Sequence, residues 1–188
     1  MTHRPAAEKA SVRIGAGRWK GRRLPVPAQA RPTSDRARQA LFNVLGDRVR
    51  NARVLDLYAG TGAVGLEAVS RGAASAVLVE SDAATLIQSL EGWDSAAGEV
   101  RVIDGSASAA MAQLAAADER FDIVFADPPY APGIHAAAAL SEIRRVLAPD
   151  GLVVVQADAR EPSPELPGLR VLERREYGRN VFHFLGVL

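Results

Sequence analysis

From residue 53 onward the sequence repeats a unit in which a short apolar run precedes a longer stretch compatible with a helix. Runs such as Ile123-Val124-Phe125 and Leu152-Val153-Val154-Val155 are apolar at every residue, which is typical of parallel strands covered by helices on both faces. The pattern predicts an open, doubly wound α/β sheet that binds ligands at the carboxyl ends of its strands. The predicted strands are residues 53–57, 76–80, 99–103, 121–126 and 152–157, and the predicted helices are residues 62–71, 82–93, 106–117 and 134–147.

The C-terminal residues depart from this repeat. Three prolines between residues 162 and 167 interrupt any helix, and two extended segments follow at residues 169–176 and 180–187. Only three residues separate these segments, which predicts a hairpin that adds an antiparallel strand to the sheet. A mostly parallel sheet with a C-terminal antiparallel hairpin is typical of the Rossmann-like class I fold of S-adenosylmethionine-dependent methyltransferases.

Charge divides the chain unevenly. Residues 1–38 hold ten Lys or Arg and two acidic residues, a net charge of +8, whereas the remainder holds thirteen and twenty, a net charge of −7. The asymmetry indicates a basic arm that contacts phosphates, although a solvated tail can have the same composition. We therefore predict a basic, phosphate-binding arm at residues 1–32 and a separate α/β domain at residues 33–188.

Two local patterns refine the N-terminal region. The segments 12–14 and 22–24 flank several glycines, which predicts a small β-hairpin. Thr33 or Ser34 can cap a leading helix within residues 33–46, with apolar residues on one face.

Composition limits the classes of function. A chain of 188 residues, 48% of them hydrophobic, can bury one substantial core. It has no cysteine, which excludes disulfides, thiolate metal ligands and a cysteine nucleophile. No apolar run reaches the roughly 18 residues of a membrane span, and the N-terminus does not resemble a signal peptide. We expect a cytoplasmic monomer that needs neither a membrane nor a metal.

A glycine loop follows the first predicted strand of the repeat. Gly60, Gly62 and Gly65 satisfy G-x-G-x-x-G, which in dinucleotide-binding proteins receives a pyrophosphate at a helix N-terminus. Asp56 argues against that ligand, because a carboxylate at the mouth of the loop would repel a pyrophosphate. The same carboxylate suits an ammonium and a sulfonium group, so the pattern favours S-adenosylmethionine over NAD.

Acidic residues also end the next two strands. Glu80 can accept hydrogen bonds from both hydroxyls of a ribose, which either cofactor would require. Asp104 occupies the corresponding position after the third strand, where it can accept from an adenine amino group. The predicted cofactor-binding residues are Asp56, Tyr58, Gly60, Gly62, Glu80, Ser81, Asp104 and Gly105.

The fourth strand ends in Asp127-Pro128-Pro129-Tyr130. The prolines stiffen this turn and lack N–H donors, so its oxygens can accept hydrogen bonds from an exocyclic amino group of a nucleic-acid base. The ring of Tyr130 can stack on that base, a contact worth roughly 1–3 kcal/mol. An ordinary turn after a strand is the alternative, but the acids at the preceding strand ends favour a catalytic site at Asp127, Pro128, Pro129 and Tyr130.

Taken together, these segments resemble the RsmD family of bacterial small-subunit rRNA (guanine-N2) methyltransferases. The resemblance implies transfer of one methyl group to N2 of a guanine in 16S rRNA, within the small ribosomal subunit or an assembly intermediate. Family members often carry Phe where this chain has Tyr58 and Tyr130, and Tyr130 also matches adenine-N6 methyltransferases. The matching segments are residues 13–24, 31–43, 56–72, 127–130 and 177–178.

The resemblance implies that the basic arm at residues 1–32 binds RNA and that residues 33–188 form the methyltransferase domain. Alternatives are an adenine-N6 methyltransferase of DNA or RNA, and a non-catalytic assembly factor that binds S-adenosylmethionine and RNA. A NAD-dependent oxidoreductase is disfavoured by Asp56. The candidate phosphate contacts are Arg13, Arg18, Lys20, Arg22, Arg23, Arg31, Arg36 and Arg38.

Overall fold

The computed structural model describes residues 10–26, 33–93, 99–129 and 139–188. Short 3-10 helices occur at Gly46–Val49 and Ile143–Arg145. Within the described ranges the main elements are β1 (Ser11–Arg13), β2 (Arg23–Pro25), α1 (Asp35–Leu45), β3 (Arg53–Leu57), α2 (Ala63–Ser70), β4 (Ser75–Glu80), α3 (Ala84–Leu90), β5 (Val100–Asp104), α4 (Ala107–Ala116), β6 (Phe121–Ala126), β7 (Leu147–Asp158), β8 (Leu169–Tyr177) and β9 (Asn180–Val187).

Seven strands form one sheet in the order β5-β4-β3-β6-β7-β9-β8. The strands β3 to β7 are parallel to one another, whereas β9 runs antiparallel to both β7 and β8. The mostly parallel sheet with a C-terminal antiparallel hairpin is therefore confirmed. Since β3 pairs with β4 on one side and β6 on the other, the strand order reverses between β3 and β6, and a ligand site is expected at their carboxyl ends.

The two faces of the sheet bury separate apolar clusters. Side chains alternate along β3, so that Val54 joins one cluster while Leu55 and Leu57 join the other. The first cluster includes residues of α1 and α2, and the second includes residues of α4. Asp56 lies between Leu55 and Leu57 in sequence and therefore points to the face that α2 covers.

The β1–β2 hairpin belongs to the first of these clusters. Its side chains Val12, Ile14, Trp19 and Leu24 are all at most 5% exposed and pack with residues of α1 and α2. At Gly17 the φ angle is +80°, and a Cβ there would lie 1.8 Å from the main-chain oxygen at the end of α2, so only glycine fits. The hairpin is thus packed into the body of the protein, while the predicted boundary at residue 32 lies outside the described residues.

The turn of the hairpin is bonded to the last residue of α2. The main-chain N–H of Arg18 donates to the oxygen of Ser70 at 2.9 Å, and that of Trp19 donates to Ser70 Oγ at 2.9 Å. Ser70 Oγ also donates to the main-chain oxygen of Ala16. Three hydrogen bonds at one residue fix the hairpin to the C-terminal end of α2.

The predicted helix at residues 134–147 is wrong at its C-terminal end. Residues 139–141 are helical, but Ile143–Arg145 is a 3-10 helix and Leu147 begins β7. Leu147 is fully buried and pairs with Phe121 of β6, so tertiary pairing extends the strand by five residues over the predicted start at residue 152. Residues 134–138 lie outside the described part of the chain.

Candidate functional site

A cavity of about 300 Å³ opens at the carboxyl ends of β3, β4 and β6. Three carboxylates reach it, those of Asp56, Glu80 and Asp127. Among the described residues that line it, none is Lys or Arg. These lining residues are Thr33, Asp56, Tyr58, Ala59, Gly60, Thr61, Ala63, Val64, Glu80, Ser81, Phe125, Asp127 and Pro129.

Asp56 is the most deeply buried of the three acids, with 1% of its surface exposed. Burial raises the pKa of its carboxyl group to about 7. The nearby charges of Asp127 and Glu80 also raise this pKa, whereas the hydrogen bond from Gly65 lowers it. The main-chain N–H of Gly65 donates to Oδ2 of Asp56 at 2.9 Å. A cation in the cavity would favour the ionised form of Asp56.

The glycine loop brings α2 close to the sheet. A Cβ at Gly65 would lie 2.1 Å from Cδ2 of Leu78 on β4, so a larger residue would push α2 away from the strand. Tyr58 turns the chain at the end of β3 with a φ of +62°, a conformation that non-glycine residues adopt rarely. The tight loop leaves Tyr58, Gly60 and Thr61 on the wall of the cavity.

Glu80 ends β4 and is bonded to the loop that follows β3. Its Oε2 accepts the N–H of Gly60 at 2.7 Å, and its Oε1 accepts the N–H of Ser81 at 2.8 Å and of Asp82 at 3.2 Å. The carboxylate therefore joins the carboxyl ends of two neighbouring strands.

Three of the predicted cofactor residues, Gly62, Asp104 and Gly105, do not line the cavity. Asp104 is next to Glu80 in the β4–β5 register, but its exposed side chain accepts the N–H of Ala83 at 3.5 Å. The N–H of Gly105 donates to the main-chain oxygen of Glu80 at 2.9 Å. Neither residue lines the cavity in the described structure, so their contact with an adenine stays a prediction.

Asp127 follows β6 and faces Thr33. Burial raises the pKa of the Asp127 carboxyl group to about 7, against a hydrogen bond from Thr33. Oγ1 of Thr33 lies 3.5 Å from Oδ2 of Asp127 and 3.1 Å from Oε1 of Gln156, a buried side chain on β7. Pro129 lines the cavity, Pro128 does not, and Tyr130 lies outside the described residues.

Thr33 is one of the site residues that sequence reasoning missed, together with others such as Thr61 and Phe125. Its only predicted role is that of a possible helix cap, whereas Ser34 caps α1 by accepting the N–H of Ala37 at 3.2 Å. Thr33 is thus free to point its hydroxyl into the cavity. The sequence did contain a signal for Thr33. The whole segment 31–43 resembles the family, and a helix cap alone would not explain a resemblance of that length.

Most of the predicted RNA contacts lie on the exposed surface of the hairpin and α1. Arg13, Lys20, Arg22, Arg23 and Arg36 are exposed. The guanidinium of Arg22 lies 4.6 Å from the ring centre of Trp93. That of Arg18 lies over the Trp19 ring and pairs with Glu99, and Arg31 falls outside the described residues.

The prediction that Arg38 contacts RNA is wrong. Its side chain is 1% exposed, and its guanidinium donates to Glu67 at 2.7 Å and to Asp35 at 2.9 Å. Arg38 is one turn before Phe42 and next to Ala37 on the buried face of α1. This position on the helix is compatible with burial, but it is the ion pair with Glu67 that accounts for a buried arginine here.

Two kinds of feature are absent from the described residues. No helix among them is both long and apolar enough to cross a membrane. In the same part of the chain, no group of three or more His, Asp or Glu side chains has the arrangement of a metal site.

Similarity to known proteins extends over nearly the whole chain. Residues 12–186 match the family model described as Conserved hypothetical protein 95. The chain is 38% identical over 178 residues to Ribosomal RNA small subunit methyltransferase D of Escherichia coli strain K12, which covers 93% of this chain and 88% of that relative. The chain belongs to this family, the RsmD family. The family assignment predicted from the sequence is confirmed.

Solved structures place the RsmD chain in its fold class. A hypothetical protein of a Thermus species is 36% identical, with a TM-score of 0.78 over 94% of this chain and 99% of that one. SMU.776, provisionally named a methyltransferase and solved with SAH, has a TM-score of 0.75 over 100% of this chain and 58% of its own. At 12% identity the second likeness shows the fold alone, which is the Rossmann-like fold of S-adenosylmethionine-dependent methyltransferases.

Proposed function

We propose that this chain transfers a methyl group from S-adenosylmethionine to the N2 amino group of a specific guanine in 16S rRNA. The observation that carries the proposal is the cavity, which is lined by Asp56, Glu80 and Asp127 and has no Lys or Arg among its described lining residues. Membership of the RsmD family supports it, since a relative at 38% identity is named a small-subunit rRNA methyltransferase.

The charge of the cavity fits S-adenosylmethionine. This cofactor carries an ammonium and a sulfonium group, and when bound it supplies an electrophilic methyl group. Ionised Asp56 would attract these cations, whereas the pyrophosphate of NAD would meet carboxylates on both sides. The pKa of Asp56, which burial raises to about 7, leaves the acid ready to ionise when a cation arrives.

Each predicted cofactor residue has a distinct part to bind. The amino-acid end of the cofactor would be surrounded by Asp56, Tyr58, Gly60 and Gly62, because these residues lie at the end of β3 and in the loop before α2. Glu80 would accept from the ribose hydroxyls. Ser81, Asp104 and Gly105 would contact the adenine, beyond the carboxyl end of β4.

At the carboxyl end of β6, the turn Asp127-Pro128-Pro129-Tyr130 would hold the target amine. The Asp127 carboxylate and a nearby main-chain oxygen would accept its N–H groups and fix the nitrogen for attack, so positioning supplies much of the acceleration. Methylation leaves the nitrogen with an excess proton. Oδ2 of Asp127 can take that proton, because a group whose pKa is about 7 is matched to transfer near neutral pH.

Two opposing energies indicate how tightly the target base can be stacked before it enters the site. Stacking on Tyr130 would contribute roughly 1–3 kcal/mol, and extruding a base from a helix costs a few kcal/mol. Because these nearly cancel, the site suits a base that is already loosely stacked in folded RNA. The substrate is 16S rRNA in the small subunit or an assembly intermediate, which places the enzyme in the cytoplasm.

The proposal is tested with purified protein and labelled S-adenosylmethionine. Under-methylated small subunits, naked 16S rRNA and duplex DNA serve as acceptors, and the modified nucleoside is identified by chromatography and mass spectrometry. We expect N2-methylguanosine in the subunits or the rRNA. Label in N6-methyladenosine, or in DNA alone, would sink the proposal in favour of an adenine-N6 enzyme, and no transfer at all would favour the non-catalytic assembly factor.

A further inference from the structure

A group of buried charges joins the β1–β2 hairpin to α1 and α2. At its centre are Arg38 and Glu67, each with 1% of its side chain exposed and with Nε of Arg38 2.7 Å from Oε2 of Glu67. The same Oε2 accepts the N–H of Gly15 at 3.1 Å, and Arg38 donates to the main-chain oxygen of Arg13. The ion pair therefore holds two main-chain groups of the hairpin.

The guanidinium of Arg38 also contacts the segment that leads to the cavity. Its Nη1 lies 3.4 Å from the main-chain oxygen of Thr33, and its Nη2 pairs with Asp35 at 2.9 Å. Oγ1 of Thr33 lies 3.5 Å from Oδ2 of Asp127. A single side chain thus bridges the hairpin and the residue beside the proposed catalytic carboxylate.

We propose that Arg38 is a positioning residue, which holds Thr33 beside Asp127 and the hairpin against α2. Binding of RNA on the hairpin and alignment of Asp127 then depend on one guanidinium. The inference rests on the proposed function, because it takes Asp127 as the group that holds the target amine. Arg38 does not line the cavity among the described residues, so it acts through Thr33.

The geometry requires arginine in particular. The planar guanidinium has five donors in a fixed fork, and here they face Glu67, Asp35 and the main-chain oxygens of Arg13 and Thr33. A lysine would keep the positive charge opposite Glu67 but could not reach all four acceptors at once. A lysine at this position therefore tests whether the positive charge alone is sufficient or whether the four contacts are needed.

The pH dependence of the reaction reports on the contact with Thr33. The groups that face Asp127 are the Thr33 hydroxyl and the carboxylates of Asp56 on β3 and Glu80 on β4. Burial raises the pKa of Asp127, and the Thr33 hydrogen bond opposes that rise. If Thr33 moves away, the pKa of Asp127 rises further, and the acid limb of the rate profile moves to higher pH.

The test compares Arg38→Lys and Thr33→Val with the control Arg48→Met, an exposed arginine in the 3-10 helix after α1. We expect both test variants to lower kcat by about 10-fold, because a small displacement of a group at the reacting centre lowers the rate of reaction strongly. The acid limb moves to higher pH in both, while the Kd for S-adenosylmethionine stays within about twofold. Arg38→Lys also weakens binding of 16S rRNA, and the control changes none of these values.

A double variant distinguishes a shared role from two separate ones. Because both residues act through one contact, Arg38→Lys with Thr33→Val is expected to lose no more kcat than Arg38→Lys alone. If the loss of kcat in the double variant equals the product of the losses in the two single variants, the two residues act independently and the proposal is overturned. It is also overturned if Arg38→Lys lowers Tm but leaves kcat and the acid limb unchanged, because the role is then structural only.

A measurement without turnover separates this inference from the proposed function. The pKa of Asp127 is followed by carboxyl 13C NMR in the ligand-free protein, and Arg38→Lys and Thr33→Val are both expected to raise it. If the wild-type protein methylates no rRNA but these shifts appear, the proposed function fails and the positioning role stands. Glu67→Gln, which weakens the hold on Arg38, replaces Arg38→Lys if that variant does not fold, and an unchanged pKa in both remaining variants overturns the inference.

Discussion

Two groups of buried charged side chains in this protein differ in how their charges are balanced. Around Arg38 each acid has a basic partner, and Glu67 accepts from Arg38 at 2.7 Å and from Arg71 at 2.6 Å. In the cavity, Asp56 and Asp127 have no Lys or Arg among the described lining residues, and burial raises the pKa of each to about 7. The paired group is complete by itself, whereas the unpaired group is suited to a cation from outside.

The largest expected effect concerns the paired group. Arg38→Met leaves Glu67 as a buried charge with one partner fewer, and removing one member of a buried ion pair costs about 3–5 kcal/mol. We expect that loss in the free energy of unfolding measured by urea denaturation. The control Arg48→Met lies on the surface and is expected to change stability by less than about 0.5 kcal/mol. Equal stability of the two variants would show that pairing is not what holds the hairpin.

The corresponding change in the unpaired group affects turnover rather than folding. Asp127→Asn keeps the shape of the side chain but removes its charge, so we expect kcat to fall by about 100-fold or more. The Kd for S-adenosylmethionine, measured by calorimetry, is expected to change only a few-fold. Asp122→Asn changes an exposed acid on β6, the strand that Asp127 follows, and serves as the control. Equal losses of turnover and cofactor binding would assign Asp127 to the cofactor half of the cavity.

Changing the pH affects stability and ligand binding in opposite directions. The folded-state pKa of Asp56 and of Asp127 lies above the unfolded value of about 3.9, so between about pH 4 and pH 7 the folded protein binds more protons than the unfolded chain. The contribution of these acids to the free energy of unfolding is therefore full below about pH 4 and is lost as the pH rises through about 7. Asp127→Asn is expected to flatten this slope in urea titrations across the window.

Cofactor affinity is expected to rise over the upper part of the same window. Because a cation binds best to ionised Asp56, affinity for S-adenosylmethionine increases by up to about 10-fold per pH unit between about pH 5.5 and 7. Binding then releases protons, which calorimetry detects in buffers of different ionisation enthalpy. Asp56→Asn removes this dependence. A flat affinity profile in the wild-type protein would contradict a cationic ligand beside Asp56.

The smallest expected effect is on the hairpin surface. The hairpin buries apolar side chains in the core, so single charge changes test it better than deletion. Arg22→Ala is expected to weaken binding of 16S rRNA a few-fold and to reduce the slope of log K against log salt by about 1. Arg170→Ala, an exposed arginine on the edge strand β8, is the matched control. Equal effects in filter binding would mean that RNA contact is not confined to the hairpin side.

The sheet and the cavity acids could be predicted because local sequence determines them. Apolar runs that end in an acid place that acid at a strand end, and all parallel strand ends lie at one edge. Asp104 lies at the end of β5 as the same logic predicts, but its side chain is exposed and does not line the described cavity, so its contact with an adenine stays a prediction.

The contacts of Arg38 and Thr33 could not be predicted from local sequence, because their partners lie far away along the chain. Arg38 is buried through Glu67, 29 residues away, and Thr33 faces Asp127, 94 residues away. A basic residue in a basic segment looks exposed until a partner is known. The end of the predicted helix at residues 134–147 failed for a related reason, since Leu147 is drawn into the sheet by pairing with Phe121.

The helix α2 sets a fixed distance between two surfaces. Its first residues, Ala63 and Val64, line the cavity, and its last residue, Ser70, is bonded to the turn of the basic hairpin. Eight residues at about 1.5 Å each make this separation about 12 Å along the helix axis. If the proposed RNA substrate meets both surfaces, its backbone and its reacting base have to lie at a spacing that matches this helix.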